Sequence, residues 1–325
     1  MKNQMLFVVF FLICCSTKIS AKDFKVVDGS GEIGKSPRVY QAAEVPKLYP
    51  LNWWARTSSR PLKVEFSPEN VFRLLPKSEV QITGTGAATT RFRRVVKLKA
   101  GSVDVDLKNL QGSKVEVETP TAICGAVGTE FVVNADEGSF KVTEGRVSAK
   151  AKKDSGFQAK SVSGSFTLAP GSENAYSKVN VTGDFSLNGI SVNGGRANVS
   201  LAKARGGTGQ AAVRVHSGSF AGASSGAYVM DGGKLQAISD PKLATVHRDY
   251  VSTASKEGSL NLKKEGLRAQ GKSVPSSLET ELRATAKKAT ELRKRLFTRS
   301  VIRDTAKDNA RDVLRQQQQT NRPRM

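Results

Sequence analysis

Between Leu62 and about Ser172 the chain alternates apolar and polar residues one for one. Val103, Val105 and Leu107 alternate with Ser102, Asp104 and Asp106. Val115 and Val117 alternate with Lys114, Glu116 and Glu118, and Phe140 and Val142 with Ser139, Lys141 and Thr143. A period of two sends one set of side chains to a core and the other to water, so these runs predict half-buried strands. Val71–Leu75, Glu79–Thr83 and Phe92–Lys99 extend the series, with Gly101, Gly112, Gly138 and Gly145 expected at the turns between runs. The alternation puts Asp104 and Asp106 on a solvated face, which argues against a catalytic carboxylate pair.

Either side of this region the pattern changes. Residues 22–61 show no clear periodicity and carry Gly29, Gly31, Gly34, Pro37, Pro46 and Pro50, which predicts a loop-rich extension. Trp53 and Trp54 are expected to anchor it to the body. Residues 173–239 are Gly-rich and read as further strands. Asp240-Pro241 forms an N-cap followed by proline at the first helical position, predicting a short helix through Val251, with a polar linker over Ser252–Pro275. From Ser276, which forms a capping box with Glu279, leucines and alanines at 278, 282, 289, 292 and 296 trace one face of a long amphipathic helix. Its other faces are basic, and the end of the chain after it is expected to be disordered.

Met1–Ala21 has the layout of a signal peptide: Lys2, an apolar run from Leu6 to Cys15, then a short polar stretch. Cleavage between Ala21 and Lys22 is expected. A rival reading acylates Cys15 as a lipoprotein. The apolar run is too short to span a bilayer. The resulting partition is 1–21 signal peptide, 22–61 extension, 62–172 β domain, 173–239 Gly-rich β extension, 240–275 short helix and linker, and 276–325 basic helix and tail.

Composition sharpens this picture at three points. The formal charge is +22, which favours polyanionic partners. The three cysteines are Cys14, Cys15 and Cys124, so cleavage would leave one thiol and no intramolecular disulfide. With only His216 and His247 besides, no metal site, cofactor site or catalytic constellation is read. The best polyanion candidates are Arg91, Arg93, Lys97 and Lys99, which alternation places on one strand face, against the plainer reading of a solvated sheet surface.

The most specific segment is Val117–Val133, with Thr119, Pro120, Ala122, Gly125, Gly128, Thr129 and Phe131, followed by Glu144-Gly145-Arg146-Val147. Together with Phe72–Val80 and Leu98–Val103 it resembles the FecR domain, although Val127 stands where that family commonly has Arg. From the residues themselves, Pro120 holds Thr119 extended. Gly125 and Gly128 permit close approach or positive φ at a strand bend. Phe131 belongs in a core, Glu144-Gly145 in a hairpin turn, and Cys124 is a small buried hydrophobe. The resemblance implies a periplasmic β domain. The relay members of that family carry a cytoplasmic segment and a spanning helix, neither of which is read here, so no direct anti-sigma role is expected.

The expectation is therefore a mainly β protein of stacked or sandwiched strands with a long basic C-terminal helix. Its expected function is that of a non-enzymatic exported envelope protein. It would bind or scaffold an envelope protein or a cell-wall polymer, with its helix available for an anionic membrane surface or self-association. The alternative is a basic protein binding polyanions or nucleic acid, the latter not expected if the chain is exported.

Overall fold

The computed structural model describes residues 23–320 except 68, 86–92, 109, 111, 188–189, 193–194 and 206–208; side chains at 127, 154–157, 162, 191–192 and 299–320 also lie outside the description. The signal-peptide residues, Ala21, Lys22, Cys14, Cys15 and Arg91 are thus beyond it, as are Arg322 and the end of the tail.

The described strands are β1 (Asp23–Gly29), β2 (Glu32–Ser36), β3 (Val39–Ala42), β4 (Lys47–Pro50), β5 (Trp54–Arg56), β6 (Leu62–Ser67) and β7 (Asn70–Leu74). They continue as β8 (Glu79–Thr85), β9 (Arg93–Ala100), β10 (Ser102–Leu107), β11 (Lys114–Glu118), β12 (Ala122–Asn134), β13 (Ser139–Ala151), β14 (Asp154–Pro170) and β15 (Asn174–Leu187). Last come β16 (Ile190–Val192), β17 (Arg196–Ala204), β18 (Ala211–Gly218), β19 (Gly226–Asp231) and β20 (Lys234–Ala237), then helices α1 (Pro241–Ala269) and α2 (Ser276–Thr320).

Four long strands organise the molecule, because each one belongs to two layers. The second half of β12 pairs with β10 and the start of β13, while its first half pairs with β11 and the end of β13. β14 and β15 continue the same division. Register shifts fall between Val127 and Glu130, Val142 and Val147, and Ser161 and Ser163, so they line up across neighbouring strands as one crease. Along it lie Gly128 (φ 57°), Gly145 (φ 76°), Gly164 (φ 102°) and Gly183 (φ 99°). Bulges bend a strand and strengthen its twist, and glycine enters the left-handed region without a Cβ penalty.

One layer runs β4-β1-β6-β7-β10, through one half of each long strand, to β17-β18-β19-β20. The other runs β3-β2-β5-β8-β9-β11 into the opposite halves and on to β16. β9 and β11 are parallel, and the remaining pairings are antiparallel. The inward residues of both layers form a single cluster: Phe72, Phe131, Phe140 and Phe166 from one side, and Val96, Val117, Cys124 and Ala149 from the other. Phe140 and Phe166 stack at 5.0 Å. The mainly β expectation is met.

The extension at 22–61 is not loop-rich. It supplies β1–β5, which pair with β6 and β8 and bury Phe24, Val26, Ile33 and Tyr49. Its strands are only three to seven residues long, so the glycines and prolines that punctuate their ends outnumber any readable period. Trp53 packs against the core beside Tyr49, at 5.8 Å, as an anchor should.

The expected linker at 252–275 is also helix for most of its length. Asp240 Oδ1 caps α1 by accepting from Lys242 N at 2.9 Å, and α1 then continues to Ala269. Gly258 reads as a helix breaker in the sequence; in the fold a Cβ there would run into the Ala169 carbonyl, so it is the point of closest approach between helix and sheet. Termination comes at Gly271 (φ 69°), with Gly271 N donating to Arg268 O and Lys272 N to Leu267 O, the pattern of a Schellman cap. α2 folds back against α1. Its predicted stripe is buried at Leu278, Leu282, Ala289, Leu292 and Leu296, and the last three of these share a cluster with Leu243, Tyr250, Ala202 and Ala212. Each fully buried leucine contributes roughly 1.5–3 kcal/mol.

A buried polar network fixes this helical hairpin to the sheet. Glu257, fully buried on α1, accepts from Glu173 N (2.8 Å), Ser172 Oγ (3.1 Å), Asn174 N (3.3 Å) and Asn174 Nδ2 (2.9 Å) at the β14–β15 turn. Asn174 Oδ1 in turn accepts from Tyr250 Oη at 3.1 Å and from Arg293 Nη1 of α2 at 3.2 Å. The carboxylate is thereby solvated by protein donors in place of water. Among the described residues no helix is long and apolar enough to cross a membrane.

Candidate binding surfaces

The motif residues turn out to be architectural. Thr119 is buried, and its Oγ1 accepts from Ala122 N at 2.9 Å, closing the Thr119-Pro120-Thr121 turn that launches β12. Gly128 and Gly145 face each other at the crease, where a Cβ on Gly145 would stand 2.5 Å from Gly128 O and 3.0 Å from Thr129 Oγ1. Thr129 is buried and donates to Arg146 O at 3.3 Å, while Phe131 is in the core. The expected hairpin turn at Glu144-Gly145 is absent: both residues lie inside β13, and the positive φ serves a bend within a strand. Gly125 needs neither role, since a Cβ there would meet nothing within 4 Å. Cys124 is fully buried, and burial pushes its thiol pKa well above the ordinary range, so it holds no thiolate at neutral pH.

Three of the four basic residues singled out at β9 share the outward face of the second layer: Arg93, Lys97 and Lys99; Arg94 points inward and is 1 % exposed. This face is charge-balanced. Arg93 Nη2 pairs with Glu116 at 2.5 Å, and the neighbouring Lys152 pairs with Glu118 at 3.4 Å. Lys99 lies over the Trp54 ring at 5.7 Å; burial, with the nearby charges of Lys152 and Lys97, lowers its pKa. A mixed face of this kind attracts a polyanion only weakly.

A second basic surface, on the outer side of the first layer, escaped the sequence reading. The outward positions of adjacent strands come into register as rows: Thr167, Lys178, Ser200 and Arg214 in one, and Lys141, Ser165, Asn180 and Asn198 in the next. His216 lies beside the second row at the β17–β18 bulge. Lys141, Lys178, Arg214 and His216 are exposed, and no carboxylate stands between them; the second row continues past Lys141 through Val132 to Asp104. Ser200 Oγ bonds His216 Nε2 at 2.9 Å and Tyr176 Oη at 3.3 Å. Burial, followed by the charges of Arg214 and Lys178, lowers the His216 pKa. Ser200 is only 3 % exposed beneath these two partners, so its hydroxyl braces the surface and is closed to a substrate carbon.

A third feature is a cleft of about 620 Å³ between the β14–β15 turn and α2. Its lining mixes Arg283, Lys287 and Lys294 with Glu173, Glu279 and Glu291, and Lys264 pairs with Glu279 at 3.1 Å.

The sequence signal for the second surface existed only in part. Lys178, Arg214 and His216 each occupy polar positions of alternating runs, but they lie on different strands, and only the pairing register brings them together. No curated protein and no solved structure matches the chain. The family model described as FecR protein does match residues 55–148, the span from β5 across the crease to β13, so this part of a larger β body is similar to the FecR family.

Proposed function

We propose that this protein is exported to the cell envelope and there binds or scaffolds a protein or cell-wall partner, without catalysing a reaction. The observation that carries the reading is the FecR match over residues 55–148, since such domains are associated with the periplasm or envelope and with signalling. The geometry agrees with it. The residues that carry the similarity are spent on the turn before β12, on the crease and on the core, which leaves recognition to the outward faces of the two layers. The apolar leader with a cleavage point at Ala21-Lys22 supports export.

Fractionation of cells making the full-length protein, with sequencing of the mature N-terminus, tests the reading. An N-terminus at Lys22 in the periplasmic or secreted fraction is the expected result, and lipid on Cys15 would give the same export with a tether. An intact Met1 in the cytoplasm would refute it.

A further inference from the structure

The outer face of the first layer beside α1 combines three properties. Its charge is predominantly of one sign: Lys141, Lys178 and Arg214 project from it with Ser, Thr and Asn between them, Val132 and Ala227 flank them, and the nearest carboxylate along these rows, Asp104, lies two strands beyond Lys141. It is braced from below, because Ser200 is buried and hydrogen-bonded to both His216 and Tyr176, which holds those two side chains in place before any ligand arrives. It is also flat and open, bounded by the row of Tyr176, Ala202 and Ala212, the last two being buried where α1 covers the sheet.

We propose that this face binds an acidic polysaccharide, with Lys178 and Arg214 holding carboxylates of the chain and Asn180 meeting its hydroxyls. Lys178 and Arg214 lie on strands two apart, joined through Ser200, which puts their backbones roughly 10 Å apart. That separation lets the two side chains meet carboxylates on every second sugar of a polyuronate. The exposed amide of Asn180 and the half-buried hydroxyls of Ser165 and Thr167 can donate to and accept from sugar hydroxyls, and the half-buried ring of Tyr176 offers an apolar edge. Nucleic acid fits less well. A single strand is held by stacking on several aromatic rings, and a duplex is read by an element that enters a groove, whereas this face presents one half-buried ring on a flat sheet. The inference takes from the proposed function only the setting in which such a polymer is met, and binding can be read in solution whatever the location of the protein.

The test is calorimetric titration of the full chain with polygalacturonate, with neutral dextran and with a short DNA duplex, at low and at raised salt. Polygalacturonate is expected to bind and dextran not to. The binding should weaken with salt, and the double variant Lys178→Gln/Arg214→Gln should lower affinity about tenfold or more, as loss of two counterion-releasing contacts requires. The pair Arg93→Gln/Lys97→Gln on the opposite face should leave it unchanged. All four positions are at the surface, and matching thermal melts would confirm that the variants fold. The proposal is overturned if polygalacturonate does not bind, if the opposite-face variant is the one that loses binding, or if the duplex binds as tightly through the same two residues.

Discussion

His247 should make the protein acid-sensitive in a way that one substitution can isolate. The imidazole is fully buried where α1 crosses β18 and β19, and its Nε2 lies 3.1 Å from Val213 O and 3.0 Å from Tyr228 O. Both partners are carbonyls, so Nε2 carries the proton and donates to them. Nδ1 is buried with no hydrogen-bond partner, so a second proton there would be a charge without an acceptor. Burial, with a smaller contribution from the Arg214 charge, drives the pKa down from 6.5 to about 4, against the raising effect of the two carbonyls. A folded-state pKa below the unfolded value means that protons favour the unfolded chain. The stabilisation is complete above about pH 6.5 and is lost as the pH falls towards 4. Over that window linkage amounts to about 3 kcal/mol, of which about 2.5 kcal/mol is gone by pH 4.5. Carboxylates titrate in the same range, so the measurement is a difference. Urea unfolding of wild type and His247→Gln is compared at pH 7.5 and pH 4.5, since glutamine can still donate to a carbonyl but does not titrate. The gap in stability should move in the variant's favour by about 2–3 kcal/mol between the two pH values. Equal pH dependence in the two proteins, or an imidazole that titrates near 6.5 in the folded state, would refute the argument.

Two further outcomes follow from the crease and the buried polar network. Gly145→Ala places a Cβ at φ 76° and 2.5 Å from a backbone carbonyl, so it should cost about 2 kcal/mol or more, while Gly125→Ala, with open space around it, should change thermal stability little. Glu257→Ala strands the buried donors of Asn174 and removes the acceptor of Ser172 and Glu173, and should cost about 3 kcal/mol; hydrogen exchange at residues 171–174 should quicken, and unchanged protection there would count against this network.

Local pattern was enough for much of this fold. One-for-one alternation identified β7 to β11 and the start of β13, because a two-residue period survives whatever strand lies alongside. The Asp240-Pro241 cap and the leucine stripe of α2 were equally legible, since caps and helical faces are set within a few residues. The Val117–Val147 motif identified the family to which residues 55–148 are similar. Where the sequence misled, the deciding contact was distant. The strands of residues 23–56 exist because β6 and β8 supply their partners. Gly258 stays inside α1 because a sheet carbonyl lies against it, and only glycine fits the bend at 145 because the Gly128 carbonyl of the neighbouring strand lies against it.

The candidate surface divides in the same way. Sequence alone could group Arg93, Lys97 and Lys99, since residues two apart on one strand share a face whatever the strand pairs with. It could not see that Glu116 and Glu118 arrive on β11 to balance them. Nor could it assemble Lys178, Arg214 and His216, whose separation along the chain is closed only by the β15–β17–β18 register. Alternation determines which side of a strand a charge lies on. Which charges become neighbours is decided by pairing across strands, and that depends on long-range contacts that no local period encodes.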